Sequence, residues 1–282
     1  GAERAEKLAA LASGDINILI GTHALFQTDI TYADLRLAVV DEQHRFGVKQ
    51  RLELSEKGDR VDMLVMTATP IPRTLAMSQY GDMDLSLLDE KPAGRKPIET
   101  VLVSMGRLDQ VVDRLRAAID AGRQAYWVCP LVDESELIAL TAAEDRFASL
   151  RAELGEGVVG LVHGQLPPAE KDAAVADFVA GRSRVLVATT VIEVGVNVPS
   201  ASIMVIEHAE NFGLAQLHQP RGRIGRGSEA STCLLLYDPP LGESARARLE
   251  IMRETEDGFR IADEDMRLRG AGDVLGTAQS GL

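Results

Sequence analysis

The sequence predicts an α/β protein in which parallel sheets are covered by helices, and three observations carry that reading. Short β-branched apolar runs alternate with amphipathic helical stretches over most of the chain, the pattern left by strand–helix–strand units. The 282 residues suffice for about two domains with cores of their own, at roughly 150 residues each. The composition, 45% hydrophobic and 26% charged with 25 Gly and 11 Pro in no period, is that of a globular chain and excludes disordered and collagen-like folds.

Taken in order, the charged, Ala-rich stretch from Gly1 to Ala12 predicts a helix. Strands are expected at Ile16–Ile20, Leu37–Val40, Met63–Met66, Ile98–Val103, Ala125–Val128, Val158–Val162, Val185–Ala188, Ile203–Ile206 and Thr232–Leu236. Each is short and bounded by Gly, Pro, Asp or His, as suits the centre of a buried sheet. Between them, Leu108, Val111, Val112, Leu115 and Ile119 keep helical spacing, as do Ala143, Phe147, Leu150 and Leu154, and then Ala174, Val175, Phe178 and Val179. Each set predicts one buried stripe. The polar segment Asp89 to Pro97 holds two prolines and a glycine without apolar period, so it reads as a linker with a domain boundary near residue 92. After Asp238-Pro239-Pro240 the strand patterning stops and a helix carrying Leu249 and Met252 begins, expected to end at Gly258. The predicted parts are therefore 1–91, 92–238 and an appendage over 239–282.

Thirty basic against 43 acidic residues leave a net charge of −13, with a pI near 4.9. Diffuse attraction to a polyanion is excluded, and any nucleic-acid contact has to use local patches. The two cysteines, Cys129 and Cys233, lie in apolar runs far apart, with no Cys-x-x-Cys or neighbouring His, and read as buried free thiols. No apolar stretch nears the roughly 20 residues of a membrane span and the N-terminal stretch is not a secretion signal, so the expectation is no membrane and a cytoplasmic setting.

Four segments carry candidate chemistry. Val39-Val40-Asp41-Glu42-Gln43-His44 puts two acids at the C-terminal end of a strand, where open α/β sheets bind ligands. Asp41 there can hold magnesium and Glu42 can orient or deprotonate an attacking water, although a plain turn after a strand looks the same. Met66-Thr67-Ala68-Thr69-Pro70 offers two hydroxyls after another strand. Val187 to Thr190 leads into Val194-Gly195-Val196-Asn197-Val198-Pro199, with a glycine that permits close backbone approach. The sharpest signal is Gln219 to Gly227, where Arg221, Arg223 and Arg226 are interleaved with glycines in an otherwise acidic chain. Such arginines can converge on phosphate, and one delivered across a cleft is worth about 10³ to 10⁵ in the rate of phosphoryl transfer.

These pieces stand in the order and approximate spacing of the superfamily 2 helicase motifs, and over nearly its whole length the chain resembles the RecG family of ATP-dependent DNA helicases. The residues that carry the likeness are Ile20 to Leu25, Asp41 to Gly47, Thr67 to Thr74, Gly94 to Ile98 and Phe212 to Gln219. The transcription-repair coupling factor shares most of them, but it usually has Glu where Gln43 stands and lacks the stretch Cys129 to Ser135. A non-catalytic helicase-like interaction module is the reading from a different class.

The resemblance implies tandem RecA-like domains, the first incomplete, with a C-terminal helical hairpin, ATP and Mg²⁺ as cofactors, and remodelling of branched DNA and stalled forks. Forked DNA and single-stranded DNA-binding protein are the implied partners. It makes Asp41 the magnesium ligand and Glu42 the catalytic base, with Thr67 and Thr69 coupling nucleotide state to DNA grip. Gly195 and Asn197 would lie near the ribose, while Gln219, Arg223 and Arg226 would reach the γ-phosphate. The tail from Glu250 to Gly276 matches the translocation motif, a hairpin followed by a loop holding Arg267 and Arg269, and His23 and Arg73 are further DNA candidates. Two positions depart from the family: Asn197 stands where Asp is usual, and Pro220 where Leu is usual, so a helix there is expected to lose a bond and bend unless a new turn already begins at that position. No Gly-x-x-x-x-Gly-Lys-Ser/Thr and no Gly-Lys dipeptide occurs, so the chain is expected to open part-way through the first RecA-like domain and to be inactive alone.

Overall fold

The computed structural model describes residues 2–22, 25, 30–41, 57–58, 60–67, 84–88, 90, 94–129, 136–189, 198, 200–227 and 229–269. The chain divides into two compact units, 1–68 and 69–282.

In the first unit, helix α1 (Ala2–Ser13) ends at Gly14, whose φ of +86° supplies the left-handed turn that a helix C-terminus favours. The amides of Gly14 and Asp15 return to the carbonyls of Leu11 and Ala10, and Leu11 is buried. Strands β1 (Leu37–Val40) and β2 (Asp62–Val65) pair in parallel, Leu37 opposite Asp62 and Val40 opposite Val65. One face of the pair buries Ala38 and Val40 against Leu35, Val61 and Met63, while Leu37, Val39 and Leu64 lie exposed on the other. The strand expected at Ile16–Ile20 is absent: Ile18 is 80% and Ile20 90% exposed. Period alone does not make a strand, because its amides need a neighbouring ladder, and in this unit the described pairing is that of β1 with β2.

The second unit is built on one parallel sheet of six strands. In chain order the elements are β3 (Ile98–Ser104), α2 (Leu108–Asp120), β4 (Gln124–Cys129), α3 (Glu136–Leu154), β5 (Val159–Val162), α4 (Pro168–Val179), β6 (Val185–Thr189), β7 (Ala201–Ile206), α5 (Leu214–Arg221), β8 (Ser231–Tyr237), α6 (Glu243–Glu254) and α7 (Gly258–Arg269). The order across the sheet is β3-β8-β7-β4-β6-β5, and every pair is parallel. Central β4 is buried at all six positions. Tyr126 and Val128 enter one core with Leu186, Met204 and Ile206, while Ala125, Trp127 and Cys129 enter the other with Val187, Ile203 and Val205. Burial on both faces is why these strands read as continuous apolar runs rather than as alternating ones. Helices α2 and α3 close the second core; α4 to α7 close the first through Phe178, Leu214, Leu217, Leu249, Met252 and Ile261.

The expected strands of this unit are present, with ends shifted by one or two residues. Two details differ from expectation. Val179 is 47% exposed, because the stripe of α4 runs through Ala174, Val175 and Phe178 and one further residue turns past it. The helix after Pro240 stops at Glu254, and Gly258 opens α7 instead of closing α6, because the Asp257 carboxylate accepts the Phe259 amide at 2.9 Å and caps a new helix. Pro220 sits in the last turn of α5, where the helix runs on to Arg221 and closes with Gly222 N–H bonding the His218 carbonyl at 3.0 Å.

Both cysteines are buried and free, as expected. Burial pushes the Cys233 thiol up to about 12 against the pull of Arg221, and burial followed by the nearby Glu207 raises that of Cys129. At pH 8 about 10⁻⁴ of a thiol with a pKa near 12 is thiolate, against about a quarter for an ordinary cysteine. Iodoacetamide should therefore modify neither cysteine in the folded chain over times that label it fully in urea, as followed by mass spectrometry.

Candidate functional site

In the first unit Asp41 directly follows β1 and is exposed, and Thr67 follows β2 by two residues and is half-buried. Because β1 and β2 are parallel and the Met66 amide bonds the Val40 carbonyl at 2.8 Å, Asp41 and Thr67 share the C-terminal edge of one sheet. That edge is where an α/β sheet offers its ligand site. Glu42, His23, Thr69 and Arg73 lie outside the described residues, as do Gly195 and Asn197 of the second unit.

In the second unit α5 delivers the arginine segment. Leu214, Leu217 and Arg221 fall on its buried stripe, so Arg221 turns inward and is 2% exposed. Its guanidinium donates to the carbonyls of Met252 and Thr255 at 2.6 and 3.0 Å and to Thr100 Oγ1 at 3.3 Å, and lies 3.0 Å from His218 Nδ1. Two of these acceptors are carbonyls at the C-terminal end of α6, which a cation satisfies well. Burial draws this guanidinium below its ordinary pKa, partly offset by Cys233 and Glu256. Of the three interleaved arginines, then, Arg221 is a structural tie and not a phosphate ligand. The helical stripe of α5 is the signal that separates it from its neighbours.

Gln219, in the last turn of α5, is exposed, and beyond Arg221 the chain leaves the helix with Arg223 half-buried and Arg226 exposed. Gly225 has φ +73°, and a Cβ there would lie 3.0 Å from Ile98 Cγ1, so the loop can hug β3 only with glycine at this point. Partial burial lowers the Arg226 pKa first, and the guanidinium groups of Arg223 and Arg95 lower it further. The same Arg223 and Arg226 pull on the buried Tyr126 hydroxyl, which burial otherwise raises. The charges of Arg223 and Arg95 thus both act on Arg226, and a bound anion would favour the charged form of that guanidinium. The sequence reading assigned Arg95 no role; it lies in the segment Gly94 to Ile98 that carries the family likeness.

Arg267 stands on α7 rather than in a loop, because α7 continues to Arg269 and Leu268 packs against the core. The Arg267 guanidinium is exposed and pairs with Glu264 at 2.6 Å. Helices α5, α6 and α7 pack on one another, so the terminal hairpin rests on the helix that carries the arginine segment.

A second polar cluster escaped the sequence reading. Glu207 follows β7 and is buried; its carboxylate accepts from Trp127 Nε1 and from Arg146, whose Nη2 is 3.2 Å away. Arg146 also lies over the Trp127 ring at 5.7 Å. The signal available in the sequence was an acid immediately after an all-apolar strand. Among the described residues, His208, Glu210 and Asp238 also bring one donor atom each within 4.8 Å of one another, with His208 Nδ1 at 3.4 and 3.2 Å from the two carboxylates, as in a histidine–carboxylate cluster.

Comparison with known proteins identifies the architecture. The family model "DEAD/DEAH box helicase" matches residues 1–78, and "Helicase conserved C-terminal domain" matches 107–228. The ATP-dependent DNA helicase RecG of Acidithiobacillus ferridurans is 54% identical over 279 residues, which cover 99% of this chain and 41% of that protein. The chain belongs to the RecG helicase family. The RecG of Escherichia coli K12 is 52% identical over 286 residues, again covering 41% of its length, so this chain spans about two fifths of the curated relatives it matches. A solved structure described as RecG bound to a three-way DNA junction aligns over 97% of this chain and 35% of the other, with a TM-score of 0.75 and 44% identity. The fold is the tandem RecA-like one of the family. A Mycobacterium smegmatis helicase Lhr, 16% identical with a TM-score of 0.56 over 82% of this chain and 31% of that one, shares the fold alone.

Breaking the buried ion pair should destabilise the second unit. Arg146→Ala leaves Glu207 charged and dehydrated and should lower unfolding free energy by about 3–5 kcal/mol in urea titration, whereas Arg182→Ala, at an exposed pair with Asp177, should cost less than about 1 kcal/mol.

Proposed function

We propose that the chain is the C-terminal motor portion of an ATP-dependent DNA helicase that remodels branched DNA and stalled forks in recombination and repair. Its parts are RecA-like portions over 1–91 and 92–238 and a translocation hairpin over 239–282. The observation that carries this reading is the likeness to RecG helicases over nearly the whole chain, one of them seen on a three-way DNA junction, and Arg223 and Arg95, whose charges both act on Arg226, add donors that suit a polyphosphate. That donor set fits a triphosphate, and the exposed carboxylate of Asp41 at the C-terminal edge of β1 fits a hydrated magnesium ion. Bound ATP and magnesium would supply the phosphoryl group to be transferred and part of its charge neutralisation.

In this reading Arg223 and Arg226 would hold the γ-phosphate and counter the charge that grows on it, with Gln219 at the exposed end of α5 orienting it. Asp41 would carry the metal, Glu42 would position and deprotonate the attacking water, and Gly195 and Asn197 would meet the ribose. Thr67 and Thr69 pass nucleotide state to the DNA-gripping residues His23, Arg73, Arg267 and Arg269. The family relative seen on a three-way junction supports branched DNA as the substrate. Single-stranded DNA-binding protein is the partner the family likeness implies, and a cytoplasmic setting goes with it. Among the described residues no helix is long and apolar enough to cross a membrane.

With no Gly-Lys dipeptide to cradle the β- and γ-phosphates, the 282-residue chain should show no DNA-stimulated phosphate release above its Glu42→Gln variant. Robust turnover would refute this division of labour. In a full-length family member carrying these residues, Arg226→Ala should cut turnover by about 10³- to 10⁵-fold while nucleotide affinity changes little. Unchanged turnover would remove Arg226 from the site.

The DNA assignment of the tail is separately testable. Replacing Arg267 and Arg269 by Ala in that protein should weaken DNA binding and reduce the slope of log affinity against log salt by about 1–2. An unaltered slope would make both arginines structural.

A further inference from the structure

The face of the six-stranded sheet that carries α2 holds a groove of about 350 Å³ between that helix and the outer strands. Alternation along β3 separates the two faces: Thr100 bonds Arg221 on one, and Val101 and Val103 line the groove on the other. Leu234 of β8 and Val205 of β7 continue the floor. Val101 is half-buried and belongs to neither core, and β3 is the terminal strand, so the sheet ends beside the groove.

Three arginines stand around this floor: Arg107 at the N-terminal end of α2, Arg114 two turns along it, and Arg123 just before β4. Arg107 donates to Gln110 Oε1 at 3.0 and 2.8 Å, and Arg123 to Ser202 Oγ and the Ala230 carbonyl at 2.7 and 2.8 Å, all neutral acceptors. Among the described residues none of the three forms an ion pair, whereas Arg116 on the same helix pairs with Asp113. Among the described lining residues Glu99 is the acidic one. In a chain of net charge −13, a set of arginines without carboxylate partners beside the half-buried side chains of Val101, Val103 and Leu234 is complementary to an acidic, apolar ligand.

Among the described residues the lining holds no aromatic side chain and its apolar members are aliphatic, which offers no platform for stacking bases and suits Leu, Ile and Val side chains. Arg107 and Arg114 lie about 10 Å apart along the helix axis, a distance that about three residues of extended chain cover. We infer that this groove docks a linear, acidic segment of a partner protein, its carboxylates pairing with Arg107 and Arg114 and its aliphatic side chains resting on Val101, Val103 and Leu234. The surface lies across the sheet from α5, α6 and α7, so the inference does not rest on the motor reading and its failure would leave that reading intact.

The test is fluorescence anisotropy of a labelled octapeptide in which Asp-Asp and Leu-Leu pairs alternate, titrated with the 282-residue chain. Saturable binding is expected with Kd at or below about 1 mM, weakened at least tenfold by Arg107→Glu with Arg114→Glu, and equally by Asn in place of Asp in the peptide. Both arginines are exposed, and an unchanged urea midpoint checks the fold of the double variant. Amide chemical shifts of the unsubstituted chain give an independent readout, expected to move along residues 101–103 and 107–115. No saturable binding, full binding by the double variant or by the Asn peptide, or shifts confined to another face would each overturn the inference. Competition by a DNA duplex at those same amides would overturn it in favour of nucleic acid.

Discussion

Arg221 gives up its hydration entirely, and the second unit is arranged to compensate it. One guanidinium meets two carbonyls at the end of α6, a hydroxyl on β3 and a ring nitrogen on α5. Losing any one of these acceptors would leave part of a buried guanidinium unsatisfied, which ties the positions of α5, α6 and the edge strand to one another. The loop that follows begins from that fixed point. Because Arg221 is taken inward, Arg223 and Arg226 are carried outward, and Gly225 lets the loop press against Ile98 without pushing β3 away.

The sheet beneath is held by a different constraint. β4, β6 and β7 bury nearly every side chain on both faces, which removes any freedom of register: a slip by one residue would exchange the two cores. In the first unit β1 and β2 are covered on one face, and Leu37, Val39 and Leu64 remain exposed. Their common C-terminal edge nevertheless presents Asp41 and Thr67 together, because parallel pairing alone suffices to align the residues that leave two neighbouring strands.

Most of the elements were legible because each rests on a local pattern. A short apolar run such as Tyr126-Trp127-Val128, bounded by turn residues, matches a buried strand, and Val111, Val112 and Leu115 mark a helix face by spacing. Local pattern failed where a second segment decides the outcome. Ile16–Ile20 has the period of a strand and no ladder, and Gly258 ended a helix on paper while Asp257 starts one in the fold. The pairing of Glu207 with Arg146 and Trp127 joins residues some 60 to 80 positions apart, beyond the reach of any motif.

The amino-acid sequence by itself determined the α/β class, the strand and helix sequence of the second unit, the buried state of both thiols and the family of the chain. These follow from side-chain period and residue identity, which are properties of a short stretch. Tertiary structure decided the fate of the individual charges. Whether an arginine faces phosphate, a helix end or an apolar groove depends on which acceptors lie near it. For Arg221 the decisive partner on β3 is 121 residues away, and the free energy of a buried charge is set by such neighbours and not by its place in a motif.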